Sequence, residues 1–216
     1  MVRKATSRTL WKSSVFAVMA MPAALLLWQW ALVAQGQPSE MLGANPVQAT
    51  VLKTGEFAMR ALLISLTISP LASLFGKPQL NAYRRMLGLF AFFYASLHGL
   101  SHIGLDHFFS AKTLLEDLLK RWPITLGFAA WAALVPLAVT STSKMIRRIG
   151  AKRWKKLHQL VYALAVVAVV HNVLITKGWQ VEPLVHAAVL AALLIYRMAG
   201  RPRLVKLPRP AKVQQA

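Results

Sequence analysis

The sequence predicts an all-α, polytopic membrane protein: a bundle of six transmembrane helices with both termini cytoplasmic. Three observations carry that reading. The 216-residue chain is 56% hydrophobic and only 15% charged, whereas a soluble domain carries about 25% charge. Apolar stretches recur six times, at about the 20-residue length that crosses a hydrocarbon core as helix. In or bordering the two tails and alternate gaps between those stretches lie 20 of the 26 Lys and Arg residues, while all six acids lie in or bordering the other gaps. A basic excess marks the cytoplasmic side. Each such residue gains about 1 kcal/mol beside anionic lipid, so the formal charge of +20 has its partner in the lipid surface and calls for no nucleic acid.

Residues 1–10 form a short cytoplasmic tail with Arg3, Lys4 and Arg8. The first apolar stretch, 11–33, is longer than the roughly 7–15 residues of a signal-peptide core and has no clean small-x-small site after it. Trp28 and Trp30 near its far end suit a membrane interface, so it is expected to stay as an uncleaved helix. The further spans are 57–75, 86–105, 124–139, 157–175 and 181–198, making 11–198 one transmembrane domain. The basic loop STSKMIRRIGAKRWKK joins the fourth and fifth spans. The longest outer connection, 106–122, contains LLEDLLKRW, whose helical spacing suits a surface helix at which a partner docks. Residues 199–216, rich in Pro and Arg, form a basic cytoplasmic tail.

This layout leaves no room for a separate soluble domain, and no strand–glycine-rich–helix fingerprint for a dinucleotide occurs. Electrons reaching such a chain must come from another molecule. Cysteine is absent, which excludes thiolate-held clusters and thioether-attached haem. Any metal centre must use nitrogen or oxygen ligands.

Histidine supplies the nitrogen. An ionisable side chain within a span is costly and signals function. His98 in LGLFAFFYASLHGLSHIGL and His171 in VYALAVVAVVHNVLI lie at matching depth in the outer halves of the third and fifth spans. Two such imidazoles on facing helices are what bis-histidine haem ligation requires. His102, one turn beyond His98 on the same face, competes for the role, and spacing does not choose between them. His158 sits thirteen residues before His171 at the inner boundary. On a continuous helix that is about 20 Å and about 140° of rotation. Either a π-bulge resets the phase, or the two histidines serve different neighbours. His158 is thus an interfacial residue, a second haem ligand, or a mark of the site where a quinone or flavin hands over electrons. Arg84, fourteen residues before His98, has no lone pair for iron and suits a haem propionate or an anionic head group. His107 and His186 read as structural or interfacial. No carboxylate lies deep in any predicted span, which argues against a proton pump.

These motifs together resemble a known family. Arg84-Arg85-Met86-Leu87-Gly88-Leu89 leading to Leu97-His98, then Thr140-Ser141-Thr142, then Trp154-Lys155-Lys156-Leu157-His158-Gln159-Leu160-Val161-Tyr162 leading to His171 are similar to the haem-binding membrane subunit of the bacterial MsrPQ protein-methionine-sulfoxide reductase system. Gly55 through Thr67, with Ser69, Pro70 and Leu71, is similar too. The resemblance implies the ferric-reductase-like transmembrane fold shared with NADPH oxidases, placed in the bacterial inner membrane. It implies haem b and FMN as cofactors, with electrons drawn from the quinone pool or a cytosolic flavin reductase. It also implies a heterodimer with a periplasmic molybdenum-cofactor subunit that reduces methionine sulfoxide in oxidised envelope proteins. By motif match His98, His158 and His171 are the haem-associated histidines and Arg84 an inner-site residue, while His102 and His186 fall outside the pattern. The competing readings are a stand-alone ferric or oxygen reductase of the same fold, and a non-redox transporter or assembly factor.

Overall fold

The structure, a computed structural model, describes residues 2–176 and 180–199, with side chains from residue 9 onward. Lys177, the basic tail from residue 200 and the side chains of Arg3, Lys4 and Arg8 lie outside the described residues. All regular structure among those described is helical, and six helical segments are long and apolar enough to cross a membrane. Leu27, Phe16, Val166, Leu184 and Ile195 point outward from these segments, each more than 40% exposed. A bilayer covers such surfaces at no cost, so the protein is a multi-pass membrane protein.

The first two helices, α1 (Val2–Ala34) and α2 (Pro46–Leu74), are joined by residues 35–45, and Asn45 caps α2. Helix α2 starts well before residue 57, where the apolar stretch begins, because its cap sits upstream. The Asn45 side chain accepts the Gln48 N–H at 3.1 Å, and Pro46 occupies the first turn, where its missing N–H costs nothing. Glu56 and Arg60 therefore belong to a helix rather than a loop. Arg60 pairs with Glu56 at 3.4 Å and with Glu182 at the start of α9 (Val181–Met198).

Helix α2 is the centre of the bundle. It packs most extensively along α3 (Asn81–Ser101) and also against α8 (Leu160–Ile175) and α9. Met59, Leu62, Leu63 and Leu66 of α2 meet Phe90, Ala91 and Tyr94 of α3, with Ala165, Val169 and Leu190 closing the cluster. Helix α5 (Trp122–Val139) packs on α8. Helix α1 is fastened by polar contacts along its length: Trp30 Nε1 donates to Thr50 Oγ1 of α2 at 2.9 Å, and the buried Tyr94 hydroxyl donates to the Met19 carbonyl at 2.5 Å. Pro22 interrupts the hydrogen-bond ladder in that stretch of α1. Tyr94→Phe keeps the ring and removes this bond. It should lower stability by about 1 kcal/mol, read as an earlier thermal transition of the protein in detergent.

Three irregularities shape the ends of the bundle. Helix α3 runs on into a π-helical turn, His102–Asp106, closed by the His107 N–H to the His102 carbonyl. It is followed by α4 (Ala111–Lys120), the surface helix expected from LLEDLLKRW. At the opposite end the basic loop folds as α6 (Ser143–Ile149) and α7 (Ala151–Leu157), hinged at Gly150 with φ +85°, a conformation natural to glycine. The fifth span is then broken between α7 and α8 at His158 and Gln159. A π-bulge was one expected way to reset the phase between His158 and His171. The structure uses a turn there instead, and the π geometry lies in the third span.

Candidate functional site

His98 and His171 face each other, their ring centroids 6.2 Å apart and their planes at 74°. Each is seated in the same manner on a different helix. His98 Nδ1 lies 2.8 Å from the Val51 carbonyl, and a Cβ placed on Gly55 would come within 3.1 Å of that nitrogen. His171 Nδ1 lies 2.6 Å from the Pro123 carbonyl, and a Cβ on Gly127 would meet the ring at 2.7 Å. In both seats a carbonyl at position i fixes the nitrogen, and a glycine at i+4, one turn along, lets the imidazole lie against the helix.

A carbonyl only accepts, so each Nδ1 carries the proton and each Nε2 keeps its lone pair. This is the arrangement of a metal-ligating histidine, whose outer nitrogen is tied to a backbone oxygen. Two metal–imidazole bonds of about 2 Å each fit the centroid separation once the ring radii are counted. The side chains present therefore fit a bis-imidazole haem. The open choice between His98 and His102 takes a geometric form here: His98 faces His171, and His102 turns to the α4 end. There it meets Asp106, His107 and Asp117.

The other end of the bundle holds a cavity of about 320 Å³, lined in part by Arg84, Arg85, Trp154, Lys155, His158, Tyr162 and Arg197. Four of these are cations and no carboxylate joins the described lining, so the cavity favours anions. Arg84 is held by Ser69 Oγ at 3.1 Å and by the Tyr162 hydroxyl at 2.9 Å, while the Arg197 guanidinium stacks 4.0 Å over the Tyr162 ring. The Thr140-Ser141-Thr142 motif frames the cavity: Ser141 reaches His158 Nε2 at 3.2 Å, and Thr142 caps α6.

His158 differs from the outer pair. Its Nε2 also lies 3.1 Å from the Leu137 carbonyl, its Nδ1 3.1 Å from the Trp154 carbonyl, and its ring stacks on Trp154 at 4.0 Å. Neither nitrogen offers an unopposed lone pair to the cavity. His186, expected to be structural, lies 3.2 Å from the Asn172 amide. Pattern reading missed the seats at Gly127 and Pro123, because a glycine in an apolar helix looks the same whatever packs on it. It also missed the grouping of His102 with His107. Their five-residue spacing is that of a π turn, which was the available signal.

A family model described as the ferric reductase like transmembrane component matches residues 54–169. Curated relatives cover nearly all of the chain. A Rhodospirillum rubrum protein is 46% identical over 185 residues, spanning 86% of each chain. A Xanthomonas campestris pv. campestris protein is 43% identical over 202 residues, spanning 93% of this chain and 91% of the relative. One from Xanthomonas euvesicatoria pv. vesicatoria is 43% identical over 198 residues, spanning 92% and 90%. All three are named protein-methionine-sulfoxide reductase heme-binding subunit MsrQ. With a six-span helical bundle and similarity along almost its whole length, the chain belongs to the MsrQ family within the ferric-reductase-like transmembrane proteins.

Proposed function

We propose that this protein is the membrane electron-transfer subunit of a methionine-sulfoxide reductase system, with haem b held between His98 and His171. The observation that carries the reading is the matched pair of seats, which leaves two Nε2 lone pairs directed away from their anchoring carbonyls. Bound haem supplies a one-electron ferric/ferrous couple. The chain's own residues do the rest. Val51 and Pro123 fix the tautomer and orientation of the ligands, Gly55 and Gly127 let them approach, and apolar side chains exclude water.

The charge distribution orients the bundle with both termini and the cationic cavity on the cytoplasmic side of the bacterial inner membrane. Residues 1–10 and 199–216 then flank a transmembrane domain of 11–198 as cytoplasmic tails. In that cavity Arg84, Arg85, Lys155 and Arg197 suit the phosphate of FMN, the propionates of a second haem, or the head group of a quinone donor. For His158 to ligate a second haem its Nε2 must leave Leu137 and Ser141. The acceptor, on this reading, is a periplasmic molybdenum-cofactor subunit facing the α4 end.

The test is spectroscopic and stoichiometric. Protein expressed with ample haem should show a reducible Soret band, and its absence would overturn the proposal. Haem per chain in the wild type and in His158→Ala then assigns the inner cavity: a fall from two to one places a haem on His158, whereas an unchanged value assigns the cavity to a flavin or quinone. Reduced protein should hold its electrons until the reductase subunit is added. Rapid loss to ferric chelates without that subunit would favour a stand-alone ferric reductase.

A further inference from the structure

A second group of ligand atoms converges at the α4 end, apart from the His98–His171 pair. His102 Nε2 and His107 Nε2 are 3.2 Å apart, and Asp117 Oδ2 lies 3.4 Å from the first and 3.3 Å from the second. The three atoms form a nearly equilateral triangle. A four-coordinate ion with bonds of about 2.0–2.1 Å keeps its ligand atoms about 3.3–3.4 Å apart, so this triangle matches one face of such a tetrahedron. All three side chains are only 12–13% exposed.

The tautomers sharpen the point. His102 Nδ1 lies 3.1 Å from Asp106 Oδ2, a carboxylate that only accepts, so the proton belongs on Nδ1. His107 Nδ1 lies 3.2 Å from Thr113 Oγ1, whose own hydroxyl donates to the Ser110 carbonyl at 3.2 Å. That hydroxyl therefore accepts from His107, and the proton again sits on Nδ1. Both Nε2 atoms then present lone pairs to each other and to the Asp117 carboxylate. Three acceptors with no hydrogen among them repel until one imidazole takes up a proton or a cation lies between them, and the near-equal edges of 3.2–3.4 Å are those of ligands around a shared cation. The carboxylate–histidine contact from Asp106 is the outer-shell support that orients a metal-bound imidazole. Arg121 orients the Asp117 carboxylate, lying 3.2 Å from Asp117 Oδ1 and 3.4 Å from Oδ2.

We infer that His102, His107 and Asp117 form a binding site for a divalent first-row transition ion. Two imidazoles and one carboxylate are a borderline donor set suited to Zn²⁺ and its neighbours, and a fourth position stays open to water. The ion ties the π turn after the third span to α4, and so fixes the surface helix at this end of the bundle.

The test uses Zn²⁺ alone, offered to the tag-free, haem-replete full chain in detergent, with bound metal measured by elemental analysis and calorimetry. One zinc per chain is expected, with a zinc-edge absorption spectrum showing two imidazoles. His107→Ala and Asp117→Asn should each weaken binding roughly tenfold or more while leaving the Soret spectrum unchanged, which separates loss of a ligand from loss of the fold. Failure of the wild type to take up zinc, or affinities unchanged in both variants, would overturn the site. So would zinc lost in His98→Ala but kept in His107→Ala, since the ion would then sit in the ring pair.

Discussion

His171→Ala is expected to abolish the low-spin haem spectrum, and His98→Ala to do the same. Each removes one of the two imidazoles whose ring centroids lie 6.2 Å apart. A single remaining imidazole gives five-coordinate, high-spin iron or no bound haem. Absorption and electron paramagnetic resonance spectra of the purified variants distinguish these states. An unchanged low-spin signature in either variant would remove that residue as a ligand. Because the anchoring carbonyls of Val51 and Pro123 belong to other helices, each variant also removes one hydrogen bond between helices, at about 1 kcal/mol. Some loss of thermal stability should accompany the spectral change.

The second large effect is expected from a residue that makes no polar contact. Gly127→Ala puts a methyl group 2.7 Å from His171 Cε1 and 2.9 Å from Nδ1, closer than real Cβ atoms come to their neighbours. The imidazole is fixed at Pro123 and cannot swing away without losing that bond. Haem affinity should fall roughly tenfold or more, the range for disturbing a residue that orients a ligand. Gly55→Ala is the graded control: its methyl would lie 3.1 Å from His98 Nδ1, a contact relieved by a shift of a few tenths of an ångström, so the loss should be smaller. Haem titration of the two apoproteins measures the difference, and equal losses would show that the glycine seats do not position the rings.

The spans and the matched placing of His98 and His171 were legible because hydrocarbon imposes a simple rule. Apolar length and buried imidazole are both properties of composition along a line. Helix boundaries were less legible where caps decide them, as at Asn45-Pro46, since one side-chain hydrogen bond outweighs several residues of hydropathy. The choice between His98 and His102 was closed to periodicity, because a π turn beginning at His102 changes the angle per residue just where the two would share a face. Gly127 was invisible for a different reason. Its significance lies entirely in what another helix presses against it, a tertiary fact that leaves no mark in local pattern.

The turn at His158 and Gln159 carries a mechanical consequence. A continuous helix behaves as a rod, so displacing one end rotates the other. If the fifth span were unbroken, a molecule wedging Trp154 aside in the cationic cavity would twist His171 against His98. At His158 and Gln159 the regular ladder gives way to tighter bonds, Gln159 N–H to the Lys156 carbonyl and Tyr162 N–H to the Gln159 carbonyl, which interrupts the rod. Helix α7 meets this turn at one end and Gly150 at the other, while α8 is tied to α5 through His171 at the Pro123 carbonyl. A shift at the cationic end is thus expected to be taken up at this turn, sparing the ring pair the strain.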